Sequence, residues 1–448
     1  MWKRCCYLFL AIQAPLRFIA SAGGIEQGID ANHRPVAGLS DAVVLHEPQW
    51  QVADHRHEQE RERLLHRIRR ETGKWDDKHP RWKILEALHG FARYRDLAGA
   101  EVDRFEDLYK HVPSKHKKIL ESAIKYDSNF DEARSLLDVN AIVCNEIVSS
   151  ALTFYNISRI ELDDFIDARA GRMDKGLRTS VSQALKHLVR DWSSEGHVER
   201  DVTFPFIFDA LDSYLPVPNA THPATQSVLV PGAGLGRLAH EIATRNPHLA
   251  VTANEYSAYM NLAYRFASSL SLSEQRTIHP FVESWSHART RHELFRPISI
   301  PDASAPTYSG SVNRPLLVEG DFTRLFPHSP HRGPWDAIVT LFFIDTARNL
   351  MQYLETIHGL LEEGGLWINV GPLLYGSAPW VQLSLDEVVA VSERMGFVFE
   401  KQAWEEKEVL YNFNGSSLYK NGYVAQFWVA RKASAKRDAR GNGWWGLW

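Results

Sequence analysis

Three glycines at alternate positions, between an apolar run and a helix-like segment, are the first residues with a chemical implication. The stretch SVLVPGAGLGRL, residues 227–238, places Gly232, Gly234 and Gly236 in what should be a strand-to-helix turn. Such a turn lets a ligand approach the main chain, because no side chain intervenes and the first helix amides are unpaired. The stretch therefore predicts a ligand cradle, with a tight turn that binds nothing as the alternative.

The spacing of these glycines separates two classes of ligand. A dinucleotide site has the pattern G-x-G-x-x-G. Counted from Gly232 its last slot holds Arg237, and counted from Gly234 it holds Ala239, which is an allowed variant. The spacing G-x-G-x-G more closely resembles the loop of S-adenosylmethionine-dependent methyltransferases, which meets a methionine carboxylate and a ribose instead of a pyrophosphate. We therefore expect S-adenosylmethionine, with an NAD-dependent oxidoreductase as the alternative.

Two acidic residues follow at the ends of later strand-like runs. Glu255 ends LAVTANE, 19 residues after Gly236, and a carboxylate at about this spacing accepts ribose hydroxyls. The alternative is a neighbour of a helix N-cap at Ser257. Asp321 and Phe322 close PLLVEGDF, where an acid and an aromatic ring can hold and cover an adenine. Their alternative is a turn Asp beside a core Phe.

The segments that must position these residues alternate between strand and helix from residue 226 to residue 432. This alternation predicts an α/β fold in which a parallel sheet carries helices on both faces. The last two strand-like runs, GFVFEKQAWEE and YVAQFWVARK, have no helix between them. They predict an antiparallel pair at the edge of the sheet. The stretch from about Ser284 to Val312 predicts an inserted loop.

The chain before the glycine turn has a different organisation. Residues 51–215 show apolar positions three and four apart, which predicts a helical extension. Residues 216–225 are rich in Pro, Asn, Thr and Ala and predict a linker. Residues 1–50 form a leader, and residues 433–448 form a Trp-rich tail. The leader contains Ala20-Ser21-Ala22, which fits a signal cleavage site, but polar residues interrupt its apolar run, so we do not expect secretion.

Composition excludes several classes of partner and site. The 448 residues include 51 basic and 55 acidic side chains, for a net charge of −4. No strong field points to nucleic acid or to an anionic membrane surface. With 3 cysteines, a disulfide framework or a cysteine-rich zinc site is not expected. We expect a cytoplasmic protein, with the nucleus as a second compartment, and leave a homodimer open.

Several motifs together resemble the carnosine N-methyltransferase family, also called N2227-like proteins. The motifs are VLVPGAGLGRLA, NEYS, GDF, FFIDTARN, WINVGPLLY and VRDWSSEGHVERD. The similarity runs from about residue 75 to residue 432. The resemblance implies a class I Rossmann-like methyltransferase domain with an N-terminal helical extension that closes over the cofactor. It also implies methylation of the imidazole of carnosine, β-alanyl-histidine, to give anserine.

The resemblance implies a set of cofactor contacts. Gly232 contacts the cofactor, together with Gly234 and Gly236 of the same loop. Glu255 binds the ribose, and Asp321 and Phe322 frame the adenine. Arg190, in VRDW, reaches in from the extension towards the cofactor carboxylate, a contact that suits a guanidinium. His187 stands where the family has a Gln and can still donate a hydrogen bond.

The substrate side follows from the chemistry of methyl transfer to imidazole, which needs no metal. Neutral imidazole has one bare nitrogen and one N–H, and a carboxylate that accepts the N–H aims the bare nitrogen at the methyl group. Asp345, in FFIDTARN, lies at a strand end, and the resemblance makes it this acid. A helix N-cap is the alternative for Asp345.

The residues around Asp345 match the family only in part. Where the family has a substrate-binding His after GPLLY, this chain has Gly376. Of two expected tyrosines at the last strand, Tyr423 is present and Asn421 replaces the other. Trp380 or His358 could compensate, although His358 sits mid-helix and is expected to be structural. A related imidazole substrate, or cofactor binding without catalysis, therefore stays open beside carnosine.

Overall fold

A computed structural model describes residues 55–169, 175–215, 225–302, 314–328, 333–411 and 415–434. The predicted leader, nearly all of the linker and all but two residues of the tail lie outside the described residues. The division of the chain at these boundaries stays a prediction.

The described residues between 55 and 215 form eight α-helices and the 3₁₀ turn Ser194–Gly196, which confirms the predicted helical character of this region. The helices are α1 (His55–Arg67), α2 (Pro80–Ala92), α3 (Tyr94–Lys110), α4 (Ser114–Ile124), α5 (Ser128–Tyr155), α6 (Arg159–Asp167), α7 (Lys175–Trp192) and α8 (His197–Tyr214). Local sequence sets several of their ends. Helix α5 ends at Asn156, whose left-handed φ of 52° stops the helix. Helix α6 begins after Ser158, whose side chain accepts a hydrogen bond from the Glu161 N–H.

Strands and helices alternate through the rest of the chain. The strands are β1 (Gln226–Pro231), β2 (Leu249–Glu255), β3 (Arg276–Ile278), β4 (Ile298–Ile300), β5 (Leu316–Glu319), β6 (Trp335–Leu341), β7 (Leu361–Gly371), β8 (Phe397–Phe399), β9 (Glu405–Leu410) and β10 (Gly422–Lys432). The helices are α9 (Arg237–Arg245), α10 (Ala258–Ser269), α11 (Arg291–Phe295), α12 (Phe322–Leu325), α13 (Leu350–Leu360) and α14 (Leu385–Arg394).

The main sheet has the order β5-β2-β1-β6-β7-β10-β8, with β9 also paired to β10. Strands β5, β2, β1, β6 and β7 are parallel, and this confirms the predicted parallel sheet. Strand β10 is antiparallel to β7, β8 and β9. The order places β1 next to β6 inside the sheet. The direction of winding reverses between these two strands, and ligands bind at such a point.

Two predictions about the later elements need correction. The run GFVFEKQAWEE is not one strand, because a turn at Lys401–Ala403 divides it into β8 and β9. Its partner β10 is inserted between β7 and these strands, so it is an interior strand. The segment expected to be a loop from Ser284 contains α11 and β4, and β4 pairs with β3. Three-residue strands are too short to show a period in the sequence.

The two faces of the sheet carry separate apolar cores. One core joins helices α1–α3 and α5–α10 to the face that displays Val228, Val230 and Val251. The other packs α12, α13 and α14 against the opposite face, with Trp367 and Trp428 at its centre. The helical extension therefore shares a core with α9 and α10, the two helices that follow β1 and β2. Helix α5 is apolar enough by length and composition to cross a membrane, and its buried side chains belong to this core.

Candidate active site

The predicted site residues lie at the carboxyl ends of four adjacent parallel strands. Asp321 follows β5, Glu255 ends β2, the glycine loop follows β1 and Asp345 follows β6. Because these strands are neighbours in the order β5-β2-β1-β6, the residues form a row along one edge. The topology therefore brings together groups that are up to 113 positions apart in the sequence.

The glycine loop needs its glycines for reasons that differ from one to the next. Gly232 and Gly236 have φ values of 65° and 79°. A Cβ at Gly232 would clash with the ring of Phe343, and one at Gly236 would clash with the ring of Tyr264. At Gly234 the nearest atom to such a Cβ is an Asp191 carboxylate oxygen at 3.6 Å. Rings of the protein itself therefore exclude side chains at two positions, and only Gly234 leaves room for a ligand to approach.

Two carboxylates accept hydrogen bonds from main-chain amides of the loop. Glu255 Oε2 accepts a hydrogen bond from the Gly234 N–H at 2.9 Å. Asp191 Oδ2 accepts one from the Leu235 N–H at 3.1 Å. A phosphate-binding loop leaves such amides free for the anion. Here two acids would repel a pyrophosphate, whereas a cationic sulfonium is attracted to them. The loop therefore fits S-adenosylmethionine and disfavours a nicotinamide dinucleotide.

Glu255 is held at the end of β2 by three backbone contacts. Its Oε1 also accepts the Ser257 N–H at 2.7 Å. Burial raises the pKa of Glu255, and hydrogen bonds from the Ser257, Gly234 and Tyr256 amides oppose this rise. The N-cap of α10 is Ser257, so Glu255 is the neighbour of a helix N-cap that the alternative described, and its role at the ribose stays a prediction. A carboxylate has about four acceptor positions, which leaves capacity for ribose hydroxyls.

The Asp321–Phe322 pair has the arrangement of its alternative, an Asp in a turn beside a core Phe. Asp321 caps α12 through Oδ1, which accepts the Thr323 N–H at 2.9 Å, and its side chain is 39% exposed. Phe322 is 3% exposed, and its ring packs against Phe326, Phe343 and Tyr353. The predicted stacking of this ring on adenine is therefore wrong, because core rings occupy its surroundings. Asp321 remains placed to accept a hydrogen bond at the edge.

Arg190 of α7 lies near the loop, and His187 lies one turn earlier on the same helix. Arg190 and Gly232 line the same small cleft. Arg190 Nε donates to Glu199 Oε1 at 2.7 Å, which leaves other guanidinium donors for a carboxylate. His187 Nδ1 lies 3.5 Å from Arg190 Nη1. Burial and the Arg190 charge lower the pKa of His187 to about 4, so the imidazole is neutral.

Two residues at the end of α7 that contact the loop were missed by sequence reasoning. Asp191 bonds the Leu235 N–H, and Trp192 Nε1 donates to the Leu235 carbonyl at 2.9 Å. Both stand beside Arg190 in the motif VRDW. Their position next to Arg190 could have pointed to them. Consecutive helix residues point in different directions, however, so the sequence did not show which residues of the motif reach the loop.

Asp345 lies at the opposite end of the row from Asp321. It is 6% exposed, and Oδ2 accepts the Leu374 N–H at 2.9 Å. Burial raises its pKa to about 7, against the opposing effect of the Leu374 hydrogen bond. The N-cap of α13 is Asn349, so the N-cap alternative for Asp345 is wrong. The carboxyl instead joins the ends of β6 and β7 and is poised to change charge near neutral pH.

Three aromatic rings form a cluster after β6, and burial, together with the charge of Asp345, raises the pKa of one of them, Tyr423. The ring of Phe342 lies 4.9 Å from Tyr411 and 6.0 Å from Tyr423, and the two tyrosines are 5.9 Å apart. The Arg190 guanidinium lies 5.5 Å from the centre of the Tyr411 ring. Phe342 has a left-handed φ of 51°, a strained conformation that is concentrated at functional sites. Phe342 and Tyr411 were not predicted, and they connect the cofactor side to Tyr423.

The loop after β7 carries the remaining predicted positions. A Cβ at Gly376 would meet no atom within 4 Å. The side chain of Trp380 is 73% exposed, and its backbone N–H donates to the Arg348 carbonyl. His358 packs against Phe397 on the other side of α13, with ring centres 5.2 Å apart, which confirms a structural role. The space at Gly376 is therefore open, and His358 does not compensate for the absent imidazole.

The order of the sheet, its antiparallel β10, the glycine loop and the row of acids define a class I Rossmann-like methyltransferase that uses S-adenosylmethionine. The family model described as carnosine N-methyltransferase matches residues 170–434. The chain belongs to the carnosine N-methyltransferase family. It is therefore an S-adenosylmethionine-dependent N-methyltransferase.

Relatives from distant organisms match most of the chain. A carnosine N-methyltransferase of Rattus norvegicus is 31% identical over 362 residues, covering 78% of this chain and 85% of the relative. One of Schizosaccharomyces pombe is 29% identical over 375 residues, covering 79% and 97%. A methyltransferase structure from Haloferax volcanii, solved with its Trm112 activator, is 12% identical, covers 56% of this chain and 98% of its own, and has a TM-score of 0.34. The strand order, rather than this weak likeness, establishes the fold.

Proposed function

We propose that the protein methylates an imidazole nitrogen of carnosine, giving anserine, or of a related histidine-containing small molecule. The relatives named for carnosine methylation support this proposal. The observation that carries it is the buried carboxyl of Asp345, which follows β6 three residues after Phe342 of the aromatic cluster. This is the kind of group that an imidazole N–H requires.

The residues that would hold the methyl donor are those of the glycine loop and its neighbours. Glu255 would accept ribose hydroxyls, Asp321 the adenine amino group, and Arg190 would bind the methionine carboxylate. S-adenosylmethionine supplies an electrophilic methyl group on a cationic sulfonium. The acids around the loop stabilise that positive charge by proximity. The helical extension covers this end of the sheet, because α7 contributes Arg190 and Asp191 directly to the loop.

Asp345 has two tasks at the acceptor. While ionised, it accepts a hydrogen bond from one imidazole nitrogen and so fixes the tautomer with the other nitrogen bare. As the ring is alkylated, its remaining N–H becomes acidic. That N–H bond breaks and the proton passes to an Asp345 carboxylate oxygen. A carboxyl with a pKa of about 7 is well matched to hold this proton near neutral pH.

The aromatic residues provide shape and exclude water. Phe342, Tyr411 and Tyr423 present flat apolar surfaces against which a planar imidazole can pack. Burial of the acceptor would remove water from the lone pair of the attacking nitrogen. An unsolvated lone pair attacks the methyl group more readily. A Cβ at Gly376 would meet no atom within 4 Å. Because no imidazole side chain fills this space, the pocket would admit a larger acceptor.

The test is transfer of labelled methyl groups from S-adenosylmethionine to carnosine, histidine and other imidazole compounds, with products identified by mass spectrometry. Asp345→Asn should lower kcat by at least about 100-fold and change cofactor affinity by less than threefold. Asp336→Asn is the matched control, because Asp336 lies at the other end of β6 and also accepts a backbone amide, that of Ser227. Full activity in Asp345→Asn would contradict the proposed role.

A second candidate is a protein that binds the cofactor without transferring its methyl group. The family is expected to contact substrate at two positions that hold Gly376 and Asn421 in this chain. These two substitutions favour a protein that binds the cofactor without catalysis. It predicts binding of S-adenosylmethionine by calorimetry and no labelled product with any imidazole compound. One labelled imidazole product excludes it.

A further inference from the structure

Two consecutive residues of the helical extension hold both polar groups of one residue in the glycine loop. Asp191 Oδ2 accepts the Leu235 N–H at 3.1 Å, and Trp192 Nε1 donates to the Leu235 carbonyl at 2.9 Å. Leu235 is fully buried between Gly234 and Gly236. A residue whose N–H and C=O are both bonded to side chains cannot shift without losing two buried hydrogen bonds.

The corner that carries Asp191 and Trp192 is itself fixed. Arg237 Nη1 donates to the Asp191 carbonyl at 3.0 Å and to Asp302 Oδ1 at 3.1 Å. Arg200 Nη2 donates to the other oxygen of Asp302 at 3.1 Å, and the Asp302 N–H donates to the Trp192 carbonyl at 2.8 Å. Both guanidinium groups and the carboxylate are buried. Removing the Asp302 carboxylate would leave two buried guanidinium groups without their shared partner, so the corner acts as a rigid support.

The position of Leu235 matters because its neighbour bonds the ribose-binding acid. The Gly234 N–H donates to Glu255, and Gly234 is the loop position that leaves room for a ligand. A loop that moved at Leu235 would carry the Gly234 amide away from Glu255. We propose that Asp191 and Trp192 are positioning residues that set the affinity for the methyl donor by fixing the main chain at Leu235. The inference concerns the cofactor alone and holds for any methyl acceptor.

The main test compares two tryptophan substitutions that remove similar hydrogen bonds. Trp192→Phe removes the bond to the Leu235 carbonyl. Trp367→Phe is the matched control, because the buried Trp367 Nε1 also donates at 2.9 Å, to Thr340 Oγ1 inside the sheet. Both should lower the thermal midpoint. Calorimetry of the purified full chain with S-adenosylmethionine should show Kd raised about tenfold in Trp192→Phe and changed by less than twofold in Trp367→Phe.

Asp191 is tested with a pair of variants that separate its hydrogen bond from its charge. Asp191→Asn keeps an oxygen for the Leu235 N–H and loses only the attraction of its negative charge for the sulfonium, so its Kd should rise by no more than about threefold. Asp191→Ala removes the acceptor, and its Kd should rise at least about tenfold. The fitted stoichiometry separates a weakened site from a partly unfolded sample.

Three outcomes would overturn the proposal. They are an unchanged Kd in Trp192→Phe, an equal loss of affinity in Trp367→Phe, and an equal loss in Asp191→Asn and Asp191→Ala. The first would mean that Trp192 is structural only, the second that general loosening weakens binding, and the third that the Asp191 charge acts directly. Binding is measured without an acceptor, so a wrong assignment of carnosine as substrate would not affect these results.

Discussion

The carboxyl of Asp345 accepts a hydrogen bond from the Leu374 N–H at 2.9 Å, and this contact joins the ends of β6 and β7 where the acceptor is expected to bind. Burial raises the pKa of Asp345 from 3.8 to about 7. The protein therefore keeps an acid in a place where its ionised form is costly. Residues that transfer protons at reaction centres commonly have pKa values shifted in this way.

We expect Asp345→Asn to stabilise the folded protein above neutral pH. Between the unfolded pKa of 3.8 and the folded pKa of about 7, the folded Asp345 keeps a proton that the unfolded chain has lost. The free energy of unfolding therefore falls as pH rises through this window, by on the order of 4 kcal/mol in total. Asn does not titrate and keeps an oxygen for Leu374.

Urea unfolding of parent and variant between pH 5 and pH 8 measures this effect. The stability difference in favour of Asp345→Asn should grow as pH rises towards 7 and remain constant above it. A difference that does not depend on pH would show that Asp345 has an ordinary pKa in the folded protein.

We expect Glu255→Gln and Glu319→Gln, on paired positions of β2 and β5, to have opposite signatures. Glu255→Gln should raise the Kd for S-adenosylmethionine by about tenfold to 100-fold, because hydrogen bonds to a charged acceptor are lost. Glu319 is bonded to Tyr155 and Arg265, so Glu319→Gln should lower the thermal midpoint and leave Kd within about twofold. Calorimetry and thermal unfolding measure the two quantities, and an unchanged Kd in Glu255→Gln would remove Glu255 from the site.

We expect Gly376→His to increase kcat/KM for carnosine by about tenfold or more. No atom lies within 4 Å of a Cβ at this position, and its φ is not in the left-handed region, so the side chain can be accommodated without strain. The added imidazole would supply a hydrogen bond and a stacking face to the acceptor. Gly376→Ala is the control for side-chain volume alone. If both variants leave kcat/KM unchanged, this pocket recognises its acceptor by other residues.

We expect two glycine substitutions to separate folding from binding. Gly236→Ala should lower the free energy of unfolding by more than about 3 kcal/mol, because its Cβ clashes with the Tyr264 ring in addition to the left-handed strain. Gly234 has a φ of 57°, so Gly234→Ala carries the left-handed strain alone, about 1 kcal/mol, but should weaken S-adenosylmethionine binding by about tenfold or more. Chemical denaturation and calorimetry of both variants test this, and equal destabilisation of the two would contradict it.

The amino-acid sequence determined the row of candidate groups. The alternation of apolar runs and helical periods shows a parallel sheet, and each strand end is a local feature that can be read from a few residues. Because parallel strands end at a common edge, Gly234, Glu255, Asp321 and Asp345 could be expected to lie close together. The motifs around them also carried the resemblance to the family.

Tertiary packing decided what those groups touch. Three findings depend on contacts between distant elements. They are the rings that exclude side chains at Gly232 and Gly236, the burial of Phe322, and the hydrogen bonds of Asp191 and Trp192 to the loop. Such contacts follow from how helices and strands fill space. The apolar period shows which face of an element is buried, but not which side chain of a distant element it meets. The same holds for β10, whose place inside the sheet depends on pairing with three strands that no local pattern specifies.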